Sequence, residues 1–167
     1  IFCPSEATFR FLETVLGEVM ELFPGPYVHI GGDEVPKARW EQSPVAQAVI
    51  RREGLADEEE LQGWFTRRIE RYVNSHGRTM IGWDEILDGG APARATVMSW
   101  RGVAGGIEAA RSGHDVIMSP NADLYLDFYQ GDPAREPLAI GGFTSLLHVY
   151  GFEPVPEALT EDEGRHI

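Results

Sequence analysis

Two adjacent carboxylates, Asp33 and Glu34, are the side chains of this sequence whose types and spacing best suit chemistry. Neighbouring carboxylates resist being ionised together, so such a pair can keep one proton and act as an acid beside an anion. Hydrolysis of a glycosidic bond uses paired carboxyl groups of this kind. The same two residues would also suit a segment cap followed by a solvated glutamate, and the pair alone leaves both interpretations open.

The segment before the pair predicts how it is presented. Tyr27, Val28 and Ile30 favour a buried strand of a parallel sheet, and Gly31 and Gly32 then allow a bend and a close ligand approach. We expect the acids at the carboxyl end of this strand, where α/β folds place their reacting groups. Because strand side chains alternate between faces, both acids reach one pocket only if the chain twists or bulges there.

Trp83 and Trp100 each follow a predicted strand directly. Aromatic rings at strand ends can wall a sugar pocket, since the C–H faces of a sugar are apolar. The alternative is that both rings plug the top of the core. Their equivalent positions, beside an acid pair, favour the pocket.

A second acid pair, Asp84 and Glu85, follows Trp83 without a flexible glycine pair, and we interpret it as structural support. Tyr125 and Asp127 would share a face if their segment is extended, and could hydrogen-bond carbonyl and hydroxyl groups of a substrate. Taken alone, those two residues are better explained by a loop packed by its own aromatic residues.

Metal and cofactor chemistry is not predicted. His29 could join Asp33 and Glu34 in a metal site, but a hydrogen-bonded core histidine is the favoured interpretation because no second histidine lies nearby. Cys3 is the only cysteine, so the chain has neither an internal disulfide nor a thiolate metal site.

The elements that must position these residues alternate along the chain. Apolar periodicity and turn residues predict helices and strands in an αβ-αα-β-β-α-β order, which is typical of an α/β protein with a parallel sheet. Ser5 and Asp57 are predicted helix caps. The predicted helices cover 7–23, 45–52, 58–74, 103–112 and 144–150, and the strands cover 27–32, 79–82, 95–99 and 115–118.

The length of the chain limits the fold that it can form alone, and its net charge limits the kinds of partner it can bind. The chain has 167 residues, fewer than the ~250 of a full (β/α)8 barrel, and both of its ends look cut from something larger. There are 27 acidic and 14 basic residues, a net charge of −13, which argues against nucleic acid and anionic membrane surfaces as partners. No apolar run is long enough to span a bilayer.

Five segments in combination resemble the β-N-acetylhexosaminidases of glycoside hydrolase family 20. They occur in the family's order, at 29–35, 82–85, 99–102, 125–127 and 149–156, and the resemblance extends over nearly the whole chain, from Phe2 to Pro156. The resemblance implies a (β/α)8 TIM barrel, of which residues 1–167 would be a partial catalytic domain, approximately strands four to seven with their helices, truncated at both ends. The family's residues from early strands and from strand eight are absent, so an incomplete sugar site is expected.

The resemblance also implies site residues and a reaction. Glu34 would be the general acid/base, and Asp33 would orient the 2-acetamido group of the substrate and stabilise its positive charge. The acetamido oxygen itself would be the nucleophile of a retaining, substrate-assisted reaction with an oxazolinium intermediate, an exception to the two-carboxylate scheme. No cofactor is implied.

The remaining site residues are assigned by the same resemblance. Trp83 and Trp100 would wall the acetamido and sugar pocket, Tyr125 would donate to the acetamido carbonyl, and Asp127 would bind a sugar hydroxyl. The implied partners are glycans that carry N-acetylhexosamine, such as chitin-type oligosaccharides. A noncatalytic carbohydrate-binding or scaffold module remains the alternative, and self-association through open barrel edges is also compatible with the sequence. The compartment is not fixed, although exported family members make a secreted or periplasmic parent one alternative.

Overall fold

The computed structural model describes all 167 residues, which form two compact units, Ile1–Thr96 and Val97–Ile167. The first unit contains four helices and two strands, followed by a 3-10 turn at Asp84–Leu87. These elements are α1 (Glu6–Leu22), β1 (Tyr27–His29), α2 (Ala38–Glu41), α3 (Pro44–Glu53), α4 (Glu58–Ser75) and β2 (Thr79–Trp83).

The three longer helices of the first unit, α1, α3 and α4, begin within a residue of where the sequence predicts. The side chain of Ser5 accepts from the backbone N–H of Thr8 at 3.3 Å and caps α1. Asp57 Oδ1 accepts from the N–H of Glu60 at 2.9 Å and caps α4. The predicted caps are therefore confirmed, and the boundaries of α1, α3 and α4 lie within a residue of their predictions.

α1 packs against α4 through aromatic contacts. The fully buried Phe9 ring lies 5.5 Å from the Trp64 ring and 4.6 Å from the Phe65 ring, centre to centre. The Arg68 guanidinium covers Phe9 at 3.9 Å and pairs with both oxygens of Glu6 at 2.6 Å. These contacts fix α4. This helix carries Gln62, which hydrogen-bonds to the backbone directly before the acid pair.

β1 and β2 are parallel, with Val28 opposite Met80. Met80 is fully buried, whereas Tyr27 is 57% exposed. The prediction of a buried Tyr27 is therefore wrong, because β1 is an edge strand with a neighbour on one side only.

The second unit contains a second parallel pair, in which Val97 of β3 lies opposite Val116 of β4. Buried Ser99 fixes the turn after β3: its hydroxyl donates to the carbonyl of Gly102 at 2.6 Å and accepts from the N–H of Gly106 at 2.8 Å. The elements of this unit are β3 (Thr96–Ser99, which begins at the boundary), α5 (Ala104–Arg111), β4 (Val116–Met118), α6 (Asn121–Leu124), α7 (Leu146–Gly151) and α8 (Glu161–Gly164).

The parallel strands and flanking helices confirm the predicted α/β class. Three short helices, α2, α6 and α8, lie in segments where no helix is predicted, since four residues are too few for helical periodicity to register. None of the helices is both long enough and apolar enough to cross a bilayer.

Candidate active site

The backbone after β1 is left-handed at three of four successive residues. The φ angles are 76° at Gly31, 99° at Gly32 and 47° at Glu34. Glu34 is the one residue other than glycine with a positive φ in the chain. Glycine accepts such angles freely, but a glutamate does not. The predicted bend at the glycine pair is confirmed, and it extends into the acid pair itself.

Hydrogen bonds continue the β1–β2 pairing into this bend. The N–H of Ile30 donates to the carbonyl of Ile81 at 2.9 Å, and the N–H of Trp83 donates to the carbonyl of Gly31 at 2.9 Å. The N–H of Gly31 donates to Nδ1 of His29 at 3.1 Å. The backbone is thus held by β2 and by the His29 side chain up to the residue where φ first becomes positive.

Gly32 is confined by two neighbours. A Cβ at this position would lie 3.0 Å from Cγ2 of the fully buried Ile86. A Cβ at Gly82 would lie 2.8 Å from the same methyl carbon. The carbonyl of Gly32 accepts from Nε2 of Gln62 on α4 at 2.8 Å. The glycines therefore serve both the φ angle and close packing.

The acid pair opens onto a cavity of the first unit. Asp33 and Glu34 are both exposed, and the cavity beside them has a volume of about 250 Å³. Its other lining residues are mostly apolar, namely Ile1, Phe2, Ile30, Gly32, Val35, Trp40, Gln62, Phe65 and Thr66. Two carboxylates beside an apolar concavity are a suitable arrangement for binding and protonating an organic substrate.

His29 and Trp83 meet beside the bend. Their ring centres are 4.8 Å apart in an edge-to-face arrangement, with 63° between the planes. Partial burial lowers the pKa of His29 because it disfavours the imidazolium, while the negative charge of Asp33 acts in the opposite direction. A neutral His29 leaves Nδ1 able to accept from Gly31. The half-buried Trp83 is thus partly packed by protein, as the core-plug alternative expects, and partly open.

The second unit brings Trp100 and Tyr125 together. The two rings are stacked, with centres 6.5 Å apart and planes 18° apart. Tyr125 also contacts Phe128 edge to face at 5.9 Å. Asp127 is exposed and lies in a turn. The condition on which Tyr125 and Asp127 would share an extended face is therefore not met, because the chain turns between them.

The second acid pair is buried, with Asp84 at 2% and Glu85 at 9% exposure. Both belong to the 3-10 turn after β2. Their burial agrees with the interpretation as structural support. No group of three His, Cys, Asp or Glu side chains in the structure is arranged to hold a metal ion.

Two residues that contact the bend were missed at the level of sequence, Gln62 and Lys37. The available signal was a run of polar residues at core spacing on α4, where Gln62, Thr66 and Glu70 are all buried. A polar side chain at such a position must find partners, so it indicates a specific buried contact. The sequence does not say with which distant residue.

The catalytic-domain model of glycosyl hydrolase family 20 matches the whole chain, residues 1–167. The chain belongs to this family. A curated family relative, the beta-hexosaminidase of Porphyromonas gingivalis, is 51% identical over 169 residues, which cover 100% of this chain and 22% of that protein. The beta-hexosaminidase of Vibrio furnissii is 41% identical over 93% of this chain and 26% of its own length.

A solved family 20 structure has the same fold. It is the exo beta-N-acetylglucosaminidase of Vibrio harveyi in complex with N-acetylglucosamine, with a TM-score of 0.84 and 35% identity over 99% of this chain and 26% of that chain. The resemblance to the family and the fold class, part of a (β/α)8 barrel, are thereby confirmed. The chain spans about a quarter of the length of these relatives.

Proposed function

We propose that this chain is part of the catalytic domain of an exo-β-N-acetylhexosaminidase, which removes terminal β-linked N-acetylglucosamine or N-acetylgalactosamine from glycans. The observation that carries the proposal is the exposed Asp33–Glu34 pair on a left-handed backbone beside an open cavity. Membership in family 20 and the names of its relatives support the same activity. Residues 1–167 would supply approximately strands four to seven of the barrel.

The reaction we propose uses the substrate's own nucleophile. Glu34 gives its proton to the glycosidic oxygen while the acetamido oxygen attacks the anomeric carbon, and the bond between that carbon and the leaving oxygen breaks. The product is a cyclic oxazolinium ion. The Glu34 carboxylate then takes a proton from water, the water oxygen attacks the anomeric carbon, and the ring opens. Two inversions retain the anomeric configuration.

Asp33 is the anion that this scheme needs. Its carboxylate would accept from the acetamido N–H and stabilise the positive charge that develops on the oxazolinium ring. Because Asp33 and Glu34 are adjacent in sequence, one short segment supplies both groups. The protein itself then requires no second carboxylate as a nucleophile.

The aromatic residues would bind the sugar. We assign Trp83 and Trp100 to the walls of the acetamido and sugar pocket, on the basis of their positions at the last residue of β2 and directly after β3. Tyr125, whose ring is stacked on Trp100, would donate its hydroxyl to the acetamido carbonyl. Asp127, exposed in the following turn, would accept from a sugar hydroxyl.

The experiment is nitrophenol release by the longer protein that this proposal requires. Its substrate is the nitrophenyl β-glycoside of N-acetylglucosamine, and the matched control is the β-glucoside, which lacks the acetamido group. We expect hydrolysis of the acetamido sugar alone, because the glucoside offers no internal nucleophile. Equal cleavage of both would contradict the mechanism, and binding of N-acetylglucosamine without hydrolysis would replace it with the noncatalytic carbohydrate-binding alternative.

A further inference from the structure

Gln62 connects the two ends of the segment that carries the acid pair. It lies on the buried side of α4 and is 4% exposed. Its Nε2 donates to the carbonyl of Gly32 at 2.8 Å, and its Oε1 accepts from Nζ of Lys37. Gly32 directly precedes Asp33, and Lys37 follows Glu34 by three residues. A single side chain from another element therefore closes the loop 32–37.

The orientation of the Gln62 amide follows from its two partners. A backbone carbonyl can only accept and an ammonium can only donate, so the amide nitrogen must face Gly32 and the amide oxygen must face Lys37. Reversing the amide would lose both hydrogen bonds. A carboxylate at the same position would keep the bond to Lys37 but would place an oxygen against the carbonyl oxygen of Gly32.

Lys37 is itself fixed at the far end of the loop. Its ammonium pairs with Glu59 Oε2 at 3.1 Å, and its side chain is 18% exposed. The same nitrogen lies 5.8 Å from the centre of the Trp40 ring, which is buried. Glu59 and Gln62, which both lie on α4, accept from the ammonium of Lys37 and keep it directed at this helix.

The loop between these two anchors contains the unfavourable φ of 47° at Glu34. A left-handed conformation at a residue other than glycine persists only where the surroundings enforce it. The exposed side chain of Glu34 contributes little burial to that enforcement. The enforcement comes from Val35, which packs against the buried cluster around Trp40, and from the hydrogen-bonded ends of the loop at Gly32 and Lys37.

We propose that Gln62 and Lys37 are positioning residues that hold loop 32–37 in the conformation from which the Glu34 carboxyl transfers its proton. The inference rests on the proposed role of Glu34 as the general acid. A displaced acid slows the protonation of the leaving oxygen and hardly alters the binding of the sugar. The loss of rate caused by this displacement depends on the leaving group, because a good leaving group departs with little protonation.

The test uses the Gln62→Glu variant of the longer protein and two substrates. One is the β-linked disaccharide of N-acetylglucosamine, whose leaving sugar hydroxyl needs a proton, and the other is the nitrophenyl glycoside, whose leaving phenol needs little. We expect kcat for the disaccharide to fall about 10- to 100-fold, as small misplacements of a reacting group do. The fall for the nitrophenyl glycoside should be several-fold smaller, with KM nearly unchanged for both substrates.

Gln47→Glu is the matched control. Gln47 also donates from Nε2 to a backbone carbonyl, that of Trp40 at 3.1 Å, and to Glu58 at 2.7 Å. The substitution makes the same exchange of nitrogen for oxygen in the same unit, and its two partners, Trp40 and Glu58, lie outside loop 32–37. It should leave the ratio of the two kcat values as in the wild type. Lys37→Met, which keeps a long side chain but removes the donor, should repeat the Gln62→Glu pattern and serves if Gln62→Glu does not fold.

The outcomes separate this inference from the function on which it rests. If Glu34→Gln abolishes turnover while Gln62→Glu and Lys37→Met both behave like Gln47→Glu, the positioning role is overturned and the proposed function stands. Equal losses on the two substrates would also overturn it, since they would indicate a general loss of folded enzyme. Wild-type turnover by Glu34→Gln would overturn the proposed function itself.

Discussion

The two acid pairs of the first unit have the same composition and opposite environments. Asp33–Glu34 follows β1 and is exposed, whereas Asp84–Glu85 follows β2 and is buried. Glu34 has a left-handed backbone, whereas Asp84 and Glu85 lie in a 3-10 turn. The side-chain type alone therefore does not locate the chemistry. The backbone at the strand end decides which pair is exposed.

Ile86 explains how the two pairs become different. It is fully buried beside both Gly32 and Gly82, so the turn that contains it is drawn into the core together with Asp84 and Glu85. After β1, the glycines with positive φ let the chain leave the core instead. Asp84 and Glu85 are thus part of the packing that supports the segment carrying Asp33 and Glu34.

The largest effect should come from Glu34→Gln. The substitution keeps the shape of the side chain and removes its transferable proton, so we expect kcat/KM in the longer protein to fall by about 10²- to 10⁴-fold. The urea midpoint should stay within error of the wild type because Glu34 is exposed. Glu85→Gln is the control, and a larger loss of turnover there, with unchanged stability, would show that the two pairs have been assigned the wrong way round.

The second effect should be on stability and should come from Asp84→Ala. Asp84 is 2% exposed, so Ala at this position removes a buried polar group and leaves a gap in the interior. We expect the free energy of unfolding to fall by about 1–3 kcal/mol. Urea unfolding measures it, with Asp33→Ala as the exposed match, expected within about 0.5 kcal/mol of the wild type. A larger loss of stability for Asp33→Ala than for Asp84→Ala would contradict this difference between the two pairs.

The smallest effect concerns pH and His29. Its pKa is lowered by burial in the folded state, so below about 6.5, the ordinary value, the unfolded chain binds more protons than the folded one. The free energy of unfolding should therefore decrease as the pH falls from about 6.5 through the lower folded pKa. His29→Phe keeps a ring against Trp83 and removes this titration. An identical pH profile of stability for His29→Phe and the wild type would contradict the assignment.

The parts of the fold that could be predicted are those with local causes. α4 was expected over 58–74 and extends over Glu58–Ser75, because its apolar face repeats with helical spacing and Asp57 marks its start. The ends of β2, β3 and β4 could be predicted to within a residue, whereas β1 ends at His29 and not at the predicted position 32. The order of the motifs along the chain predicted the family, and the family model confirms this prediction.

The parts that could not be predicted depend on contacts between distant residues. The pairing of Gln62 with Gly32 spans 30 positions, and nothing in either segment encodes it. The positive φ of Glu34 follows from anchors outside the dipeptide, since glutamate has no local preference for that angle. Tyr27 was expected to be buried from its residue type, but exposure depends on how many neighbours a strand has.

With the role proposed for Glu34, selection for turnover and selection for stability disagree at this left-handed position. Glycine at this position would avoid a backbone cost of about 1–2 kcal/mol, and only the reaction argues for keeping a glutamate. In a lineage that kept the fold and lost the reaction, position 34 should be among the first to drift, while Gly31 and Gly32 should persist because their φ angles and packing still require glycine. A related sequence that reads Gly-Gly-Asp-Gly at this strand end would then mark a descendant that still folds but no longer hydrolyses.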